Sequence, residues 1–293
     1  MDKLKPYQKK IINNVMTKLN IPFTNNNVLI HMNKIYDFII NKGNYATTTK
    51  RDYLIIFSLL LKNLGQHKAG EQVYKNVKEY AKIHNDNEYK QTLDENEKKN
   101  YIKYNELTDK VNELIRVYNN NPTEKNIIKL LVLSLYVLQP PLRNDYYNMK
   151  IIYNDEDDDR KQNYILIDGN MYYVIINQDK VIKLHGRGEI PIMNQTLKNI
   201  LDIYINNYAF ANTYLFENND KTPYKKYQIQ YIINGMFKKK LLNIYNLRSA
   251  YISNFYNNNP DLHNRLILAD KMRHTQKWRK FHTVNILYKC RQN

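Results

Sequence analysis

The stretch TEKNIIKLLVLSLYVLQPPLRNDY, residues 123–146, decides how the rest of the chain is read. From Ile127 to Leu138 apolar side chains fall on every side of a helical repeat, interrupted by Lys129 and Ser134. A helix that is apolar all round is buried, so Thr123–Leu138 is expected at the centre of a helical domain. At about twelve residues the run is too short to span a bilayer. Gln139-Pro140-Pro141 ends it, because proline lacks the N–H that would continue the ladder and restricts the residue before it. Arg143 then stands alone just past the break.

Upstream, the chain reads as helices. Gln8–Leu19 and Asn27–Ile40 are amphipathic, and Gly43 stops the second. Thr47-Thr48-Thr49 offers N-caps to a helix with Tyr53, Ile56, Leu60 and Leu64 at helical spacing, closed by Gly65. Another helix is expected from Glu71 to about Ile83. The polar stretch His84–Lys99 reads as a linker. Helix Tyr101–Tyr118 then leads into the central run. Two domains follow, residues 1–95 and 96–293, and a chain of 293 residues is long enough for each to bury a core.

Downstream, Asp155-Glu156-Asp157-Asp158-Asp159 puts five acids in a row. Consecutive side chains do not converge on one ion and no glycine shapes a calcium loop, so a solvated loop is the reading. Tyr164–Asp168, Met171–Ile176 and Lys180–Leu184 read as short strands, joined by Asp168-Gly169-Asn170 and Asn177-Gln178-Asp179. From Asn194 helices return. The expected fold class is mainly α with a small antiparallel β-sheet (α+β). There is no internal repeat, Gly-rich phosphate loop or dinucleotide fingerprint.

Charge is concentrated at one end. Residues 221–293 carry fifteen lysines and arginines against Asp261 and Asp270, a balance of +13 within a total of +17. A basic face gains affinity for a polyanion by releasing condensed counterions, which makes DNA the first substrate to consider. The one cysteine, Cys290, excludes an internal disulfide framework or a multi-cysteine zinc site and suits a reducing compartment. The first residues, MDKLKP, lack an apolar signal core, and nothing suggests a membrane protein. The 27 tyrosines and abundant asparagines point to an AT-rich coding bias, a hint of a viral or mobile-element genome.

Arg143, Lys180, Arg248, His274 and Tyr288 follow one another in the chain. Two arginines, a lysine, a histidine and a late tyrosine suit phosphodiester exchange through a tyrosine nucleophile. Attack on a DNA phosphate builds a pentacovalent centre, whose equatorial oxygens two guanidiniums can hold. A lysine or histidine can protonate the leaving oxygen, and a phenol can keep the strand covalently attached. Neither metal nor cofactor is required by such a scheme.

These residues resemble the tyrosine recombinases, the phage-type integrases, and within them the integrases of viruses and crypton-like elements. Leu138–Tyr146 looks like the first-arginine box. Asn177–Lys180 through Glu189-Ile190-Pro191-Ile192 is similar to the lysine-bearing hairpin. Tyr245–Tyr251 resembles the second-arginine box, Lys271–Thr275 the histidine box, and Ile286–Lys289 the nucleophile segment. The resemblance implies that residues 1–95 form a core-binding clamp and 96–293 the catalytic domain, closing as a C around duplex DNA. It implies Arg143 and Arg248 as the phosphate clamp and Lys180 as general acid, with Lys183 its rival. His274 would assist at the phosphate, with His282 its local competitor. Tyr288 would be the nucleophile, with Tyr251 and Tyr256 the alternatives. Site-specific recombination through a 3′-phosphotyrosyl bond, without cofactor, by four protomers on two duplexes, is what the family does. A type IB topoisomerase and a non-catalytic DNA-binding relic are the competing expectations. Two departures stand out: Tyr245 takes the place of the box-two histidine, and the insertion Gln276–Lys280, with Trp278 in it, lengthens the interval from His274 to Tyr288.

Overall fold

The computed structural model describes residues 4–43, 45–90, 100–154, 161–237, 241–258 and 260–273. The chain divides into two compact units, Met1–Thr92 and Leu93–Asn293.

The first unit is helical. α1 (Pro6–Lys18) begins on a proline, whose missing N–H falls where a helix has no partner for it. α2 (Asn25–Ile30) is capped by Thr24, whose hydroxyl accepts from the Asn27 N–H at 3.1 Å. α3 (Met32–Asp37) runs on into a π-helical turn, Phe38–Lys42. The single helix expected over Asn27–Ile40 is therefore broken at His31, whose φ of −107° and ψ of 17° leave the helical basin. α4 (Thr47–Asn63) starts with Ala46 at its N-cap and no capping side chain, so the three threonines lie inside the first turn. Burial of Leu54, Ile56, Phe57, Leu60 and Leu61 holds this helix without a cap. α5 (His67–Lys90) runs well into the stretch expected to be a linker. Asn85, Asp86 and Asn87 are weak helix formers but not breakers, each costing only a fraction of about 1 kcal/mol. The rest of that stretch, 91–99, lies outside the described residues. α4 and α5 pack closely where buried Ser58 donates to the Gly70 carbonyl at 2.7 Å.

In the second unit, α6 (Tyr104–Asn120) buries Leu107, Val111, Leu114 and Tyr118, one face at i, i+4, i+7 and i+11. It packs on α7 (Glu124–Val137), where every residue from Leu130 to Val137 is buried, together with Ile127 and Ile128. The central position expected of this run is where the structure has it. A four-stranded sheet follows in the order β1 (Lys150–Tyr153), β2 (Tyr164–Asp168), β3 (Met171–Ile176) and, after the short α8 (Ile182–His185), β4 (Gly188–Pro191). Ile165, Ile167 and Val174 join the α7 core, while Tyr164, Leu166 and Ile175 form a small cluster on the opposite face, as alternation requires.

The sheet corrects the sequence reading twice. It is mixed, because β1 pairs parallel to β2, with Lys150 opposite Tyr164; the β2–β3 and β3–β4 pairs are antiparallel. β1 is only four residues long and has no turn signal before it, so its pattern did not separate from the loop after the prolines. Lys180–Leu184 is not a strand: Asp179–Val181 turns and α8 follows. α9 (Gln195–Tyr204), α10 (Lys226–Met236), α11 (Ile244–Asn257) and α12 (Leu262–Lys271) complete the described unit; α9, α10 and α11 pack against α7. The acidic run Asp155–Asp159 lies outside the described residues.

Candidate active site

Arg143 is set by the break that ends α7. Past Pro140-Pro141 the chain folds back against the last turns of the helix it has just left. The Tyr136 hydroxyl donates to the Arg143 carbonyl at 3.1 Å, and the Gln139 amide donates to the Tyr146 hydroxyl at 2.9 Å. The Tyr136 and Tyr146 rings meet edge to face, 5.3 Å between centroids. Burial pushes both phenols above their ordinary pKa, which keeps them neutral donors and acceptors rather than acids. From this fixed backbone the half-buried Arg143 side chain donates from Nη1 to the Arg273 carbonyl at 2.9 Å.

Arg248 lies on α11 and is buried. Its guanidinium donates to the Pro141 carbonyl, two residues before Arg143, and to the Met272 carbonyl at 3.3 Å. Burial and then the neighbouring charge of Arg143 lower its pKa to about 10, so it remains a cation at neutral pH. Tyr245, at the start of the same helix, is exposed. Both arginines therefore hold carbonyls at the end of α12, where the helix dipole and unpaired C=O groups favour cations.

Lys180 sits on a loop pinned by Asn163, the residue just before β2. The Asn163 side chain accepts from the Asn177 and Gln178 N–H groups at 2.9 and 2.8 Å and donates to the Gln178 carbonyl at 2.8 Å. Asp179 accepts from the Val181 N–H at 3.0 Å, a side-chain turn that competes with strand pairing. Lys180 and its rival Lys183 therefore do not share a strand: the first lies in the turn and the second on α8. Lys180 is exposed and lines the same cleft as Arg143; Lys183, on α8, does not line it.

That cleft has a volume of about 620 Å³. Besides Arg143 and Lys180, Lys161 and Lys226 contribute cations to it, and Asp145 and Asp179 contribute carboxylates. Burial, then repulsion from Asp179, raises the Asp145 carboxyl, against the opposing pull of Arg143, Arg248 and Lys226. Sequence reasoning missed Lys161, Lys226 and Arg273. Lys226 sits in the Lys225-Lys226 pair of the basic segment, which could have signalled it. Arg273 is buried, and its partner Asp179 is far away in sequence: Nε reaches Oδ2 at 2.8 Å and Nη2 reaches Oδ1 at 3.3 Å.

The structure thus brings Arg143 and Lys180 to one cleft, with Arg248 bonded to the backbone beside Arg143. His274 and Tyr288, with His282 and Trp278, lie outside the described residues. The alternative tyrosines do not line the cleft. Tyr251 packs edge-on against Tyr104, Tyr256 is buried, and burial raises both phenols to about 12. Four cationic side chains around an open cleft suit an oxyanion, the phosphate of a nucleic acid backbone among them. Among the described residues no three His, Cys, Asp or Glu side chains group to hold a metal, and no helix is long and apolar enough to cross a membrane.

No family model matches the chain, and no curated protein matches it. Among solved structures it is similar to one described as the crystal structure of XerA recombinase, over 100% of this chain and 94% of that one, at 14% identity and a TM-score of 0.44.

Proposed function

We propose that the chain is a site-specific tyrosine recombinase that cuts and rejoins DNA, serving the integration of a viral or mobile element. The observation that carries the reading is the convergence of Arg143 and Lys180 on one cationic cleft, with Arg248 held against the same turn. Residues 1–95 act as the DNA clamp and 96–293 as the catalytic domain. Arg143 and Arg248 stabilise the charge that builds on the phosphate. The Tyr288 oxygen bonds to phosphorus and gives up its proton to His274 or to solvent as the bond from phosphorus to the 5′-oxygen breaks. Lys180 donates a proton to that oxygen, leaving a 5′-hydroxyl and a 3′-phosphotyrosyl bond. The 5′-hydroxyl of a second strand reverses the step, and four protomers assemble on two duplexes to make the exchange.

A suicide substrate tests this. Nicked duplexes carrying element-end sequences are incubated with the protein in chelator, and the covalent adduct is mapped by peptide mass spectrometry. The adduct is expected on Tyr288 and is lost in Tyr288→Phe. An adduct on Tyr251 would reassign the nucleophile, and no adduct on any element end would sink the proposal.

A further inference from the structure

Between Lys180 and the end of α12 stands a buried ion pair that the mechanism above does not use. The Asp179 and Arg273 side chains are only 2% and 6% exposed. Arg273 holds Asp179 through two nitrogens and the Gly186 carbonyl at 2.7 Å. Asp179 precedes Lys180, and Gly186 closes the α8 turn with φ 64° and ψ −164°, a region open essentially to glycine alone. A side chain on Gly188 would put its Cβ 2.9 Å from Arg273 Nη1, so the chain leaves room for the guanidinium. A second tie runs alongside, from His185 Nδ1 to Asp270 Oδ1 at 3.4 Å. The main-chain carbonyl of Arg273 meanwhile accepts from Arg143. Arg273 itself has φ 54°, a left-handed conformation that glycine would adopt without strain. Arginine there carries that backbone cost while its side chain makes the contacts with Asp179 and Gly186.

We infer that Arg273 is a positioning residue: its guanidinium, through Asp179 and Gly186, fixes the loop that presents Lys180 beside Arg143. This rests on the strand-exchange reading of the cleft, in which Lys180 protonates the leaving 5′-oxygen.

The test compares the wild type with Arg273→Met, Asp179→Asn and Lys180→Ala on two suicide substrates, one with the natural 5′-oxygen at the scissile link and one with sulfur there. A thiolate leaves without a proton, so a defect in general-acid delivery is bypassed by the sulfur. Arg273→Met should cut the oxygen substrate about 100-fold more slowly, on the scale of a lost general acid. On the sulfur substrate it should return close to the wild-type rate, as Lys180→Ala should, while Arg273→Lys should fall between. Equal loss on both substrates, or no loss on either, overturns the inference and leaves the recombinase reading standing. An inert wild type removes that reading and the catalytic purpose of the strut with it. Hydrogen exchange of amides 177–188, independent of turnover, should speed up in Arg273→Met; unchanged exchange overturns the strut whatever the activity.

Discussion

At the scale of single residues, charge is placed where the solvent cannot pay its usual part. Arg248 and Arg273 are buried cations, and each is surrounded by carbonyl or carboxylate acceptors. Removing one side of the Arg273–Asp179 pair costs about 3–5 kcal/mol, because the other charge stays buried. Asp145 is the opposite case. Its raised pKa means the folded state favours the protonated acid, so its contribution is fully present below the unfolded value of about 4 and is lost as pH rises through the folded one. Asp145→Asn should therefore raise the thermal midpoint relative to wild type, by an amount that grows from about pH 4 to pH 7. Paired thermal melts across that range check this; a flat or inverted difference contradicts it. Arg143 was legible in the sequence because two prolines isolate it after a buried run. Arg273 was not, since what defines it is a partner 94 positions away that no local pattern marks.

Elements follow the same rule at greater length. α7 was legible because an all-apolar helix has one place to go. The strand expected over Lys180–Leu184 failed because alternating apolar residues also fit a turn, and Asp179 bonding the Val181 N–H decides between them. β1 was missed because parallel pairing leaves no hairpin signature. The contact of α4 with α5 carries its own prediction. A Cβ on Gly70 would lie 2.7 Å from the Lys62 Cγ and 3.0 Å from the Ser58 carbonyl oxygen, so the helices must part. Gly70→Ala should destabilise the Met1–Thr92 unit by about 1–3 kcal/mol, the usual cost of overpacking, despite alanine's better helix propensity. Urea unfolding followed by circular dichroism measures it, and a stabilised variant would refute the close approach.

Over the whole molecule, each unit has its own apolar core, one centred on α4 and the other on α7. The net charge of +17 divides almost evenly between the units: residues 1–92 carry fifteen Lys and Arg against seven Asp and Glu, and in the later unit the +13 of residues 221–293 is offset by an acidic excess of four over 93–220. If about six phosphates are contacted, affinity for duplex DNA should fall roughly a thousandfold between about 50 and 200 mM salt. Fluorescence anisotropy titrations read this slope directly, and salt-independent binding would count against a phosphate-tracking surface. The end of α12 has a consequence of its own. The carbonyls just past its last turn, on Met272 and Arg273, are held by the same two guanidiniums that face or flank the cleft. An anion that took the N–H now given to that backbone would release the carbonyl, whereas one held by the remaining N–H groups of either guanidinium would leave the helix terminus anchored.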